Sequence, residues 1–155
     1  MKATMISIQK PHTDNIFSGI KKVEWRKYSL PSGKHYVYET KRGGGLGMVI
    51  GTFRTNTYYH FSNVDDIPEW LIRDGCVSRE FLHKYSGGRG LFANIVYDAK
   101  RFEKPKETKR YLKWNYAYGC PMVSEFNCER HSYQCYVTTP PQSFVYIYVL
   151  GENRK

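Results

Sequence analysis

The amino-acid sequence predicts a mixed α+β domain. Three observations carry that expectation: period-two alternation over Thr4 to Ile8 and again over Lys22 to Arg26, short helix signatures bounded by caps or glycines, and two β-rich apolar runs, Leu91 to Tyr97 and Phe144 to Leu150. The 155 residues suit one domain rather than two, taken here as 1–155. Hydrophobic residues at 41% and aromatics at 16% supply a packed core, which excludes disorder for the bulk of the chain.

Along the chain, Thr4 to Ile8 alternates as a short strand. Pro11, Thr13 and Asp14 start a helix whose apolar stripe is Ile16 and Phe17 and whose stop is Gly19. Lys22 to Arg26 then sets Val23 and Trp25 on one face and Lys22, Glu24 and Arg26 on the other. After the turn at Pro31 to Gly33, the runs His35 to Glu39 and Met48 to Phe53 predict a hairpin. The glycine-rich link Lys41 to Gly47 has no following helix and no Walker-type ending, so it predicts a mobile hairpin tip and not a nucleotide-hydrolysing loop. Pro68 to Gly75 reads as a helix, and Ser78 caps another in which Phe81, Leu82 and Tyr85 share a face before Gly87 and Gly88. Leu91 to Tyr97 and Phe144 to Leu150 are expected as central strands. The long stretch between them requires a hairpin or helix of its own.

The 24 Lys and Arg against 14 Asp and Glu give a formal net charge of +10, and a polyanion is the partner such a field attracts. Lys41, Arg42, Lys100, Arg101, Lys104, Lys106, Lys109, Arg110 and Lys113 are the candidates to follow a phosphate backbone, with Phe102, Tyr111 and Trp114 interleaved as stacking faces or as plugs at the core edge. No stretch reaches the length of a membrane helix and no signal-type apolar segment opens the chain, so a cytoplasmic protein without structural disulfides is expected. The spacing Cys120, Cys128, His131, Cys135 offers four soft ligands for a closed zinc site, although buried inert thiols fit the same residues; no other cofactor is expected.

The densest chemical signal is the run from Ser18 to Lys27. Glu24 and Arg26, two apart, project from one strand face, and Lys21 or Lys22 enters just before them. Converging charges either form a solvated ion pair of little worth or mark a site. The pattern Gly19-x-Lys21-x-x-Glu24-x-Arg26 resembles the signature of the ASCH domains of the PUA-like superfamily. Met5 to Pro11, Gly47 to Phe53, Val77 to Tyr85 and the closing Pro140-Pro141-Gln142-Ser143-Phe144 with Tyr146 resemble further blocks of that family, in the family's order. About 110–136 falls outside the likeness and reads as an insertion.

The resemblance implies a small PUA-like β-barrel with peripheral helices and a cleft that binds RNA, another single-stranded nucleic acid or a nucleoside-like ligand. Its lining would include Lys21, Lys22, Glu24, Arg26, Tyr38, Gln142 and Ser143. It also implies enzymatic alternatives in the same cleft. One ASCH branch deacylates acylated cytidine with a lysine, a threonine nucleophile and an acidic partner. Here Glu24 stands in the place of that threonine, and an ionised carboxylate is not a hydroxyl nucleophile. Asp74 falls near the acidic position, so Lys21, Glu24 and Asp74 form the catalytic set if the chain is an enzyme, while a plain helix-end aspartate before Gly75 accounts for Asp74 equally. Other members are ribonucleases, for which Lys21, Arg26, Tyr38 and Ser143 supply suitable groups. A protein-interaction module with a basic surface is the third class.

Overall fold

A computed structural model describes residues 1–114 and 135–149 of the chain. The strands are β1 (Lys2–Ile8), β2 (Val23–Arg26), β3 (Gly33–Glu39), β4 (Met48–Thr55), β5 (Tyr58–Phe61), β6 (Leu91–Ile95), β7 (Tyr97–Lys106), β8 (Leu112–Lys113) and β9 (Phe144–Tyr148), with helices α1 (His12–Phe17), α2 (Glu69–Asp74) and α3 (Arg79–Ser86). They form a six-stranded sheet in the order β7-β4-β3-β1-β9-β8 and a three-stranded sheet in the order β2-β6-β5. The mixed α+β class is therefore as expected. No closed barrel forms among the described residues: the larger sheet ends on β7, whose exposed Lys104, Pro105 and Lys106 block further pairing, and on the two-residue β8.

The chain divides into two compact units, one of Met1–Lys10, His35–Gly51 and Phe102–Lys155, the other of Pro11–Lys34 and Thr52–Arg101. In the first, β1 pairs in parallel with β3, Thr4 opposite His35 through Ile8 opposite Glu39, and antiparallel with β9, Lys2 opposite Tyr148 through Ile6 opposite Phe144. Met5 and Ile6 point to opposite faces of β1 and both are fully buried, so both faces of this inner strand are covered despite the alternation of the sequence. Met5, Tyr36, Tyr38, Val49, Tyr111, Val137 and Ile147 form its core. His35 is a core histidine satisfied by the Thr4 hydroxyl.

The glycine-rich link is more built than a mobile tip. Glu39 is fully buried and its Oε1 accepts the Leu46 N–H at 3.0 Å, while the Gly47 N–H donates to the Glu39 carbonyl at 3.0 Å. A side chain at Gly45 would lie 1.9 Å from the Thr40 carbonyl oxygen, so glycine is required there by backbone approach.

In the second unit, Val23, Trp25, Ile67, Leu71, Leu82, Leu91 and Ala93 make a separate core. Ser78 Oγ accepts the Phe81 N–H at 3.0 Å to start α3, and Gly87 at φ +57 ends it, both as the sequence predicts. The end of α2 differs. Gly75 has an ordinary φ of −84 and Cys76 takes the left-handed conformation at φ +53; glycine is needed because a Cβ there would sit 2.3 Å from Trp25 Nε1. Strand β5 had no sequence expectation.

Gly45→Ala should lower stability by about 2 kcal/mol or more, since backbone must move to admit one methyl group, whereas Ser32→Ala in an exposed turn should stay within about 0.5 kcal/mol. Chemical denaturation of the two variants checks this.

Candidate functional site

The signature residues lie at the start of β2, a point fixed from three sides. Gly19 at φ +81 turns the chain out of α1, the Lys21 N–H donates to the Asn15 carbonyl at 2.9 Å, and the Lys22 N–H donates to the Asp74 carbonyl at 2.7 Å. The Val96 N–H then donates to the Lys22 carbonyl at 2.9 Å, joining this start to the end of β6. Strand β2 runs antiparallel to β6, with Glu24 opposite Asn94 and Arg26 opposite Phe92. Period-two geometry sends Val23 and Trp25 into the unit's core and the charged residues to the other face.

That charged face is covered. Lys21 is 3% exposed and Glu24 6%, so the solvated strand face is not what forms. Arg26 Nε donates to Glu24 Oε1 at 2.9 Å, and Lys21 Nζ stands 3.6 Å from Glu24 Oε2 while donating to the Gly75 carbonyl at 2.6 Å. Arg26 is the outermost of the three, its side chain 12% exposed, and its Nη1 also donates to the Tyr28 hydroxyl at 3.4 Å. Burial alone would push the Glu24 carboxyl up, but Arg26 and then Lys21 outweigh it and hold the group below the usual glutamate range. Burial likewise opposes the charge on Arg26, and Glu24 overcomes it, so the guanidinium is held still more firmly protonated. Two cations thus bracket one ionised carboxylate.

Four residues that the sequence did not single out complete the cluster. His12, at the first turn of α1, has its imidazole held below the ordinary histidine range by burial and then by Lys21, and its Nδ1 is buried with no hydrogen-bond partner. No local pattern distinguishes it from the other four histidines of the sequence. Tyr28 meets Arg26, and burial pushes the Tyr85 hydroxyl up beside the same charges. Asn94 was legible as a polar residue within an apolar β run: buried, it accepts the Leu30 N–H at 2.7 Å and donates to the Glu24 carbonyl at 3.2 Å, clamping the chain after β2.

Within the second unit, Lys22 and the Asp74 carboxylate do not join the cluster. Lys22 is exposed, and the Asp74 carboxylate pairs with Arg73 at 3.1 Å while Lys21 turns to Gly75. Tyr38, Gln142 and Ser143 belong to the first unit, Tyr38 in its core. Lys41 and Arg42 are exposed on the glycine-rich link, Lys100, Arg101, Lys104 and Lys106 along β7, and Lys109 and Arg110 in the 3-10 turn after it; Lys113 on β8 is half-buried. Of the interleaved aromatics, Tyr111 is part of the core and Phe102 packs against it, both meeting Tyr36, while the half-buried Trp114 stacks on Tyr148 at 5.9 Å. Cys120, Cys128 and His131 lie outside the described residues, as does most of the expected insertion; Cys135 is buried. An open cavity of about 360 Å³ at the end of α1 has Ile16, Gly19, Lys21, Lys22, Tyr97 and Asp98 in its walls, and Glu24 and Arg26 do not line it. No helix among the described residues is long and apolar enough to cross a membrane.

Glu24→Gln leaves Lys21 and Arg26 buried without their counter-ion and should cost about 3 kcal/mol, whereas Glu80→Ala, which removes an exposed partner of Lys84, should cost under about 0.5 kcal/mol. Because Glu24 binds its proton less readily folded than unfolded, its contribution is complete above the usual glutamate range and is lost as pH falls through its folded value. His12 acts in the same direction as pH falls below the usual imidazole range, since the unfolded chain takes up that proton first. Denaturation at several pH values should therefore show the wild type losing stability on acidification and Glu24→Gln losing less.

No family model matches the sequence, and no curated protein matches it. Solved structures do match. The ASCH protein from Zymomonas mobilis superposes with a TM-score of 0.62 at 21% identity, over 91% of this chain and 84% of that one. Two of its single-substitution variants give TM-scores of 0.61 and 0.62 at 20% and 19% identity, again over 91% of this chain and over 86% and 84% of theirs. At this identity the likeness concerns architecture, and the chain has the fold of the Zymomonas mobilis ASCH protein.

Proposed function

We propose that the chain is a single PUA-like ASCH domain that binds single-stranded RNA, with Arg26 as the recognition group. The observation that carries this is the Arg26 guanidinium held by the ionised Glu24 at 2.9 Å on a face where it is the outermost of three charges. A guanidinium is a planar fork of donors, and a fixed carboxylate on its Nε orients the fork before any ligand arrives. Oriented in this way it suits a base carbonyl or a phosphate oxygen. The net charge of +10 supplies the sequence-independent attraction, through exposed cations such as Lys41, Arg42 and Lys104.

The same cluster gives little support to an enzyme. Lys21 already donates to the Gly75 carbonyl and faces Glu24, and Asp74 is engaged with Arg73. Where the acylated-cytidine branch has its threonine stands Glu24, its carboxylate held by Arg26 and Lys21.

Fluorescence anisotropy with a labelled single-stranded RNA should show binding that weakens steeply with salt, with a log–log slope of about −3 or steeper. Arg26→Lys, which keeps the charge but not the fork, should weaken it by about tenfold. Absence of binding at low salt overturns the proposal, and RNA cleavage or deacylation of acylated cytidine that is abolished in Lys21→Ala replaces it with an enzyme.

A further inference from the structure

The three-stranded sheet extends the candidate site across its own surface. Strand β6 pairs with β2 on one side and with β5 on the other, so Arg26, Phe92 and His60 fall in one register row, and Glu24, Asn94 and Tyr58 in the next. All six share a face, since the intervening Trp25, Ala93 and Leu91 fill the core behind it. In the second row Asn94 is clamped by the chain at Tyr28 and Leu30. The first row has no such clamp: His60 is exposed and Phe92 half-buried, with Tyr58 beside them 48% exposed.

Resting on the RNA reading above, we infer that Phe92, His60 and Tyr58 form a stacking platform for an unpaired base of a single-stranded nucleic acid whose adjacent backbone or base edge meets Arg26. The rings support one another. His60 lies 4.5 Å from Phe92 between ring centroids at a 33° tilt, and Tyr58 packs edge-on to Phe92 at 5.4 Å. Gly90 makes room for the imidazole, because a Cβ there would stand 2.6 Å from His60 Nε2. Sheet aromatics with exposed faces stack bases of any identity, and the antiparallel register brings the end of β2 and the start of β6 to the same edge, where the exposed Lys27 and Arg89 follow and precede the strands. Neither β5 nor β6 contains a carboxylate. An exposed aromatic cluster bordered by cations complements a base attached to a phosphate.

The test uses the full chain, a single-stranded RNA carrying one 2-aminopurine, and the same RNA with an abasic position. Wild type should change the 2-aminopurine fluorescence on binding, and Tyr58→Ala with His60→Ala should weaken binding about tenfold while leaving the salt slope unchanged. The loss should shrink against the abasic RNA. Thermal unfolding should be little altered, because both truncated side chains are exposed. If wild type binds and the double variant binds equally well, the platform is overturned while RNA binding stands. If wild type binds no RNA at low salt, both fall.

Discussion

One ionised carboxylate organises the face of β2. Glu24 is buried, and a buried charge is tolerated only when opposite charge and hydrogen bonds replace the water it has lost. Arg26 and Lys21 supply both, and each is held in turn: Lys21 by the Gly75 carbonyl at the end of α2, Arg26 by the Tyr28 hydroxyl. The consequences reach into the backbone. Gly75 has to lack a side chain for α2 to approach Trp25, and Asn94 has to be an amide to tie the chain after β2 to β6. An apolar residue at position 24 would satisfy the packing but would leave the guanidinium without its orienting partner.

The basic surface has a structural use besides the one proposed for it. Strand β7 lies at the edge of the larger sheet, and an exposed edge is a template for pairing with another chain. Lys104, Pro105 and Lys106 prevent that, the lysines by charge and the proline by lacking a donor. In the proposed function the same residues also contribute to a positive field that would draw phosphates. Their exposure therefore does not by itself locate a nucleic acid, which is why the argument for recognition rests on the oriented guanidinium of Arg26.

Much of the fold was legible in local chemistry. The alternation at Val23 and Trp25, the Ser78 cap and the Gly87 stop each depend on neighbours within a few residues, and each appears where the sequence put it. Glycine at 75 was legible as a helix end but for another reason, since its cause is a contact with a distant tryptophan. The candidate site divides in the same manner. Glu24 and Arg26 were found because a spacing of two sets them on one side of a strand, and Lys21 came with the family-like signature, the same alternation favouring Lys22, which is exposed; His12 and Tyr85 join them only through packing between elements, α1 beside β2 and α3 from far along the chain. Charge pattern also could not reveal that this side is covered. Of the two readings open for the aromatics around the basic tract, Tyr111 takes the core one, since interleaving with lysine marks exposure only when a ring is not needed by a core.

The most direct test of the account is an NMR titration that follows the Glu24 side-chain carboxyl and the Arg26 Nε–H in the same samples. The account predicts that Glu24 titrates below the usual glutamate range, that the Arg26 signal loses its protection over the same pH interval, and that added single-stranded RNA perturbs this signal at neutral pH. A carboxyl titrating in or above the ordinary range, with an Arg26 signal indifferent to both acid and RNA, would contradict it.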